Sequence, residues 1–211
     1  MGEVLLIRHG ETEWNREVIW RGRADVPLGE RGREQARLLA EAWAARPIGA
    51  IYSSPLARAR ETAELLAAGA GVAVQIDERL VDMSFGEWEG QSLADVQARW
   101  PDLYQTWRSR PGEFRAPGGE SLAEVAGRAW PALEEIATRH AEQTVALVSH
   151  RVVCKLLLCA ALGAGEAGFW RVWLDTASVS LLEREAEGWV VRGVNDTHHL
   201  SVLGAGDAAD F

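Results

Sequence analysis

Residues 4–12 read Val-Leu-Leu-Ile-Arg-His-Gly-Glu-Thr, an apolar run that ends in a charged turn containing glycine. A short apolar run bounded by a turn is typical of a strand buried in a sheet. Ligands of open α/β sheets bind outside the carboxyl ends of the strands. The stretch therefore predicts a first strand over 4–7, with Arg8 and His9 where a site forms. The alternative interpretation is a histidine whose hydrogen bonds are satisfied within the turn and which has no functional role. Residues elsewhere in the chain distinguish the two interpretations.

Working outward, short apolar runs alternate with amphipathic helical patterns. This alternation predicts a sheet covered by helices. Ser54 and Pro55 suit an N-cap and a first-turn proline, and Ser121 with Glu124 forms a capping box. The predicted strands cover 50–53, 72–76, 145–149, 178–184 and 189–194, and the predicted helices cover 30–46, 54–68, 121–137 and 152–162.

The periodicity weakens between residues 82 and 117, where only one short helix is expected, near 93–99. A long irregular connection of this kind often forms a lid. We therefore predict a single domain over 1–203 with a cap insertion at about 82–117. The tail over 204–211 is small and acidic, which predicts disorder. The tryptophans of the cap stretch (Trp88, Trp100 and Trp107) either pack in the core or line a substrate pocket.

The composition narrows the classes of partner. The 211 residues carry a net charge of −9, and an acidic chain is repelled by nucleic-acid backbones. The apolar runs are too short to span a membrane, and no signal peptide precedes the first strand. Cys154 and Cys159 fit small core residues of a reduced protein better than a disulfide or metal pair. We expect a cytoplasmic protein without nucleic-acid or membrane partners, in which any anionic ligand meets a local positive pocket.

Three further polar residues occur at predicted strand ends. Arg58 lies in the first turns of the helix after the second strand, Asp82 follows the third strand, and His150 precedes the N-terminus of a helix, where anions bind. With Arg8 and His9 they have the composition of a phosphate pocket. Arginines fork onto phosphate oxygens, a histidine attacks phosphorus, and an acid protonates the leaving oxygen.

Six stretches, in order, resemble the histidine phosphatase superfamily, which includes cofactor-dependent phosphoglycerate mutase. The resemblance implies a three-layer α/β/α sandwich with a mostly parallel sheet and a small cap insertion. It also implies a phosphohistidine mechanism that needs neither a metal nor another cofactor. The stretches are LIRHGETEWN at 6–15, GRADVPL at 22–28, SSPLARA at 53–59, FGEWEG at 85–90, GGES at 118–121 and VSH at 148–150.

Carried over residue by residue, the resemblance also assigns roles. It makes His9 the nucleophile, and the phosphate ligands are Arg8, Arg58 and His150, supported by Asn15. A histidine with an ordinary pKa near 6.5 is neutral at neutral pH, as a nucleophile must be.

The chain departs from the family at three positions. Asp82 takes the place of the family's usual glutamate acid, one methylene shorter. Arg151 stands where glycine is common, and its side chain either adds charge to the site or points away. Arg21 stands where the phosphatases often have glutamine, and it either reaches the pocket or lies on the surface. If they reach it, Arg21 and Arg151 are substrate-binding residues.

Three functions remain open at this point. A hydrolase acting on a small phosphorylated metabolite is favoured. Mutases of the family carry inserted segments and a Glu-Arg-x-Tyr-Gly stretch, whereas this chain is short and has Asp-Met-Ser-Phe-Gly at 82–86. A catalytically inactive phospho-ligand binder is the third possibility, which retention of the whole pocket disfavours. The substrate stays open among α-ribazole phosphate, phosphoserine, glucosyl-3-phosphoglycerate and a broad range.

Two other patterns are interpreted as structural. Gly-Ala-Gly-Glu-Ala-Gly at 163–168 spells a dinucleotide-binding fingerprint, but that motif requires a preceding strand. Because a helix precedes it here, a helix end and a turn are predicted. His198 and His199 have no carboxylate or cysteine cluster beside them, so a surface pair or a lid contact is expected rather than a metal site.

Overall fold

The structure is a computed structural model, and it describes residues 2–204. Six strands form one sheet in the order β3-β2-β4-β1-β5-β6. They are β1 (Glu3–Arg8), β2 (Ala50–Ser53), β3 (Val74–Ile76), β4 (Thr144–Ser149), β5 (Val179–Glu185) and β6 (Gly188–Asp196). Strands β3, β2, β4 and β1 pair in parallel, and β5 and β6 continue the sheet in antiparallel pairs.

The α-helices cover both faces of this sheet. They are α1 (Glu13–Arg16), α2 (Glu30–Trp43), α3 (Ala57–Ala70), α4 (Leu93–Arg99), α5 (Pro101–Ser109), α6 (Leu122–Arg139) and α7 (Arg151–Ala161). Side chains alternate between the faces of a strand, so Leu5 packs into the core formed with α2 and α3. Leu6 packs into the core formed with α6 and α7. The predicted three-layer sandwich with a mostly parallel sheet is confirmed.

Of three predictions of helix positions from local sequence, one is correct, one is wrong and one is incomplete. Ser121 and Glu124 form the predicted capping box at the start of α6. The predicted N-cap at Ser54 is wrong, because α3 starts at Ala57 with Leu56 as its N-cap. The prediction of one helix between 82 and 117 is also incomplete, because α5 follows α4 directly. Pro101 opens α5, and the local periodicity did not reveal it.

Residues 82–117 contribute most of an aromatic wall, a cluster of Trp20, Phe85, Trp88, Trp107 and Phe114. Their ring centroids lie 4.7 Å apart for Trp20 and Trp88, and 4.8 Å apart for Trp107 and Phe114. Trp88 and Trp107 are fully buried, so both belong to the core. Of the two interpretations, packing in the core is therefore the correct one for Trp88 and Trp107.

The remaining predictions concern the ends of elements. Helix α7 ends at Ala161 and residues 162–165 form a turn, as predicted; a 3-10 helix (Glu166–Arg171), which was not predicted, follows. The tail over 204–211, predicted to be disordered, lies outside the described range except for Gly204. Between residues 2 and 204, every helix is too short or too polar to cross a membrane.

Candidate active site

The carboxyl ends of β1, β2 and β4 bring the predicted residues together. The His9 amide donates to the Ser149 carbonyl over 2.9 Å, and the Ser54 amide donates to the Val148 carbonyl over 3.0 Å. These bonds continue the sheet one residue beyond each strand. As a result the rings of His9 and His150 lie edge to face, with centroids 5.2 Å apart.

The His9 ring is held in one orientation. Its Nδ1 lies 2.6 Å from the carbonyl oxygen of Gly10, and because a carbonyl only accepts, Nδ1 must carry the proton. The lone pair of the neutral ring is therefore on Nε2. Gly10 is required at this turn, since a Cβ there would overlap the Gly32 carbonyl.

The surroundings of His9 keep its ring neutral. The residue is buried, and burial lowers the pKa of His9 well below its usual value, aided by the positive charges of Arg58, Arg8 and Arg21. Both effects disfavour the charged form. The lone pair on Nε2 therefore remains unprotonated below neutral pH.

Arg58 projects from the first turn of α3 and is fully buried. Its guanidinium donates to the carbonyls of Gly22 and Ala24 over 2.7 and 2.8 Å, and to Oδ2 of Asp82 over 3.2 Å. Burial lowers the pKa of Arg58 to about 10, while the Asp82 carboxylate partly opposes this shift. Arg58 therefore stays charged at neutral pH.

Asp82 is a buried carboxyl group surrounded by cations. Its Oδ1 accepts the Met83 amide over 2.9 Å, and Oδ2 lies 3.6 Å from Nδ1 of His150. Burial raises the pKa of Asp82 above its ordinary value, against the opposing charges of Arg58 and Arg21. A buried carboxyl group with a raised pKa is able to act as a general acid.

His150 occupies the N-cap position of α7. Its Nε2 lies 2.7 Å from the Ser54 hydroxyl, while its Nδ1 has no hydrogen-bond partner within residues 2–204. Burial lowers the pKa of His150 well below its usual value, and the charge of Arg58 adds to this effect. A bound phosphate anion would favour protonation of the ring again.

Arg8 and Asn15 are buried and anchored locally. Arg8 donates to the Leu174 carbonyl over 2.6 Å. Oδ1 of Asn15 accepts from both the amide and the hydroxyl of Thr12 over 2.9 Å. These bonds fix the loop after β1, so Asn15 has at least a structural role beside the pocket.

One cavity opens directly beside His9. Arg21 and Arg151 line it, and both side chains are mostly buried. The other lining residues are Trp20, Gly22, Asp82, Phe85 and Val152. Within the described chain, Arg8, Asn15, Arg58 and His150 are buried residues that do not form part of this lining.

Sequence reasoning missed three residues of the site. Ser54 was interpreted as a helix cap, but it contacts His150. Trp20 and Phe85 line the cavity, and neither was singled out as a candidate site residue. Phe85 and Ser54 lie inside quoted motifs, which was the available signal, whereas Trp20 directly precedes Arg21 and carried none.

The described residues include no cluster of three or more histidine, cysteine, aspartate or glutamate side chains arranged to hold a metal ion.

Glu89 is a structural residue: it accepts the amides of Arg23 and Phe85 over 3.2 and 2.9 Å. It thereby ties the loop after Arg21 to the cap.

The chain belongs to the histidine phosphatase superfamily (branch 1), whose family model matches residues 4–197. It is 37% identical to phosphoserine phosphatase 1 of Hydrogenobacter thermophilus over 200 residues, 95% of each chain. It is 31% identical over 205 residues, again 95% of each chain, to the probable phosphoglycerate mutase GpmB of Salmonella choleraesuis. A mycobacterial glucosyl-3-phosphoglycerate phosphatase in complex with VO3 superimposes with a TM-score of 0.86 at 31% identity, covering 92% of this chain and 98% of the other. The predicted family and the predicted enzyme class, a phosphatase, are confirmed.

Proposed function

We propose that the protein is a metal-independent phosphomonoesterase that hydrolyses a small phosphorylated metabolite through a phosphohistidine on His9. The observation that carries the proposal is the hydrogen bond from His9 Nδ1 to Gly10. It fixes the tautomer that leaves Nε2 as the nucleophile. The neighbouring arginines and the buried carboxyl group of Asp82 supply the remaining parts of the reaction.

In the first step, Nε2 of His9 forms a bond to phosphorus while the bond from phosphorus to the ester oxygen breaks. Arg8, Arg58 and His150 would stabilise the charge on the non-bridging oxygens, as preorganised donors do. Asn15 supports the same group. The proton of Asp82 passes to the leaving alcohol.

In the second step, water attacks the phosphohistidine. The Asp82 carboxylate takes a proton from this water, and the bond between Nε2 and phosphorus breaks. Inorganic phosphate leaves, and both His9 and Asp82 return to their starting protonation states.

The cavity lining supports a substrate with a second anionic group close to the phosphate. Arg21 and Arg151 line the cavity beside His9, and a carboxylate pairs well with a guanidinium. Two of the similar proteins are named for phosphoserine and for glucosyl-3-phosphoglycerate, and both molecules carry a carboxylate near the phosphate. Arg21 and Arg151 would select such substrates.

The direct test uses purified wild type and His9→Ala. Wild type should hydrolyse p-nitrophenyl phosphate in the presence of EDTA and should yield a phosphoprotein that is acid-labile and base-stable. His9→Ala should lose both properties. His198→Ala should keep both, because His198 is an exposed histidine at the start of a 3-10 helix (His198–Leu203).

Other outcomes identify the rival functions. Slow hydrolysis together with rapid phosphoryl exchange between phosphoglycerates would identify a mutase. Phosphate or vanadate binding without turnover would identify an inactive binder. Full activity of His9→Ala, or inhibition by EDTA that zinc or magnesium reverses, would contradict the proposed mechanism.

A further inference from the structure

Arg128 on α6 binds the backbone that carries Asp82. One guanidinium nitrogen donates to the carbonyls of Arg79 and Val81 over 2.8 and 2.7 Å. The other terminal nitrogen donates to the carbonyl of Asp82 itself over 3.0 Å. A single side chain therefore spans the segment that leads into the carboxyl group.

Glu120, from the Gly-Gly-Glu-Ser stretch, completes the arrangement from the other side. Its carboxylate accepts from Nε and a terminal nitrogen of Arg128, each over 3.2 Å. It also accepts the amide of Ser84 over 2.8 Å and a terminal nitrogen of Arg23 over 2.9 Å. Arg128 and Glu120 thus contact the chain both before and after Met83; we name this pair the clasp.

The Glu120 carboxylate of the clasp stays ionised at neutral pH. Burial alone would raise the pKa of Glu120, but hydrogen bonds from Arg128 and from the Ser84 amide hold this pKa below its ordinary value. The Arg128 and Glu120 side chains are 18% and 19% exposed. Charge-assisted hydrogen bonds at such partly buried positions are stronger than neutral ones.

Residues 81–85 belong to no helix or strand, so regular backbone hydrogen bonding does not fix their position. An aspartate side chain is short, and the reach of its carboxyl group follows the backbone closely. A displacement of about 1 Å at a reacting group can cost on the order of 100-fold in rate. We propose that the clasp of Arg128 and Glu120 positions Asp82 for proton transfer to the leaving group, a role that rests on the proposed phosphatase reaction.

The first test compares two substrates in Arg128→Lys. Lysine keeps the charge but cannot span three carbonyls and a carboxylate with one rigid fork. Turnover of an alkyl phosphate such as phosphoserine should fall on the order of tenfold or more. Turnover of p-nitrophenyl phosphate should fall much less, because its leaving oxygen needs little protonation. Arg139→Lys is the matched control: Arg139 ends the same helix and bonds Tyr52 and Glu135 instead.

Two further measurements separate positioning from a general loss of structure. In an Asp82→Asn background, Arg128→Lys should cause no additional slowing, since the acid is already absent. Glu120→Gln, which keeps the side-chain shape, should show the same substrate dependence in a weaker form. Equal slowing of both substrates, or equal slowing in both backgrounds, would overturn the proposal.

Hydrogen exchange keeps this inference distinct from the proposed function. Amides across residues 79–85 should exchange faster in Arg128→Lys, while those of β1 and β4 should be unchanged. If wild type hydrolyses neither ester, the proposed function fails, and the exchange data still decide whether the clasp holds the segment. Unchanged exchange across 79–85 would overturn the clasp even in an active enzyme.

Discussion

The proposed phosphate-binding end of the sheet (Arg8, His9, Arg58 and His150) and the aromatic wall are both buried, but they are held by different forces. At the phosphate-binding end, hydrogen bonds and burial hold charged and polar side chains close together. The positive charges of the arginines there disfavour protonation of the histidines. The burial of Arg58 and the lowered pKa of His9 and His150 show that this end is electrostatically costly. The wall consists of apolar rings in mutual contact, which stabilise the fold.

This difference implies that separate groups of residues determine the reaction rate and the stability of the fold. A pocket that buries several positive charges close together destabilises the free protein, and the wall beside it offsets that cost. The two regions meet at the cavity, where Trp20 and Phe85 of the wall lie beside Arg21 and Asp82. Changes in the wall should therefore reduce stability, and changes at the phosphate-binding end should reduce the rate.

The largest expected effect is on the stability of the wall. Phe114 is fully buried, with its ring centroid 4.8 Å from that of Trp88. Phe114→Ala should lower the free energy of unfolding by about 3–5 kcal/mol, measured by urea denaturation. The rate per folded molecule with p-nitrophenyl phosphate should stay close to that of wild type. A variant that keeps its stability but loses its rate would contradict the separation.

The next effect is at the phosphate-binding end. Arg58→Ala should slow hydrolysis on the order of tenfold or more, because it removes one preorganised donor, and it should weaken vanadate binding. Arg60→Ala is the matched control, since Arg60 lies on the same helix with an exposed side chain that pairs with Glu64. Vanadate affinity equal to wild type in Arg58→Ala would show that this side chain does not hold the transferred group.

Asp82→Asn tests the place where the two regions meet, because Asp82 lines the cavity together with Trp20 and Phe85 of the wall. Hydrolysis of phosphoserine should slow far more than that of p-nitrophenyl phosphate, whereas Glu87→Gln, an exposed carboxylate of the cap, should show no such dependence. If only Glu87→Gln showed it, the acid would lie further into the cap.

The pH profile gives a second measurement of the same groups. The proposed reaction requires neutral His9 and protonated Asp82. Because burial lowers the pKa of His9, activity should persist below pH 6.5 and fall only as the pH drops through that lowered pKa. Because burial raises the pKa of Asp82, its loss of a proton should set the alkaline limb. Asp82→Asn should remove this limb, and a limb that persists would assign it to another group.

The smallest effect on rate is expected from Arg21 and Arg151, the two arginines that line the cavity beside His9. Arg21→Gln and Arg151→Gln should reduce the preference for phosphoserine over propyl phosphate and leave turnover of p-nitrophenyl phosphate nearly unchanged. Arg16→Gln, at an exposed arginine that pairs with Glu13, should leave the preference intact. An unaltered substrate profile in both cavity variants would assign selectivity to the cap.

The sequence alone determined the layers of the fold and the strand ends at which the polar residues occur. Short apolar runs and helical patterns indicate where buried strands and amphipathic helices lie, and this information is local. His9 illustrates the point, because an apolar run, a charged turn and a glycine within nine residues sufficed to place it after a strand. The cap helix α5 escaped the same approach because buried tryptophans and flanking prolines obscured its periodicity.

Only the tertiary structure decided which polar residues meet. Ser54 and His150 are 96 positions apart in the chain, and Asp82 and Arg128 are 46 apart. Whether such side chains touch depends on the twist of the sheet and on how helices from distant segments pack against it. Local sequence patterns do not contain this information, because contacts between residues far apart in the chain depend on the whole tertiary structure. For that reason Arg21 and Arg151 could be assigned to the cavity only once the cap and the sheet had been placed together.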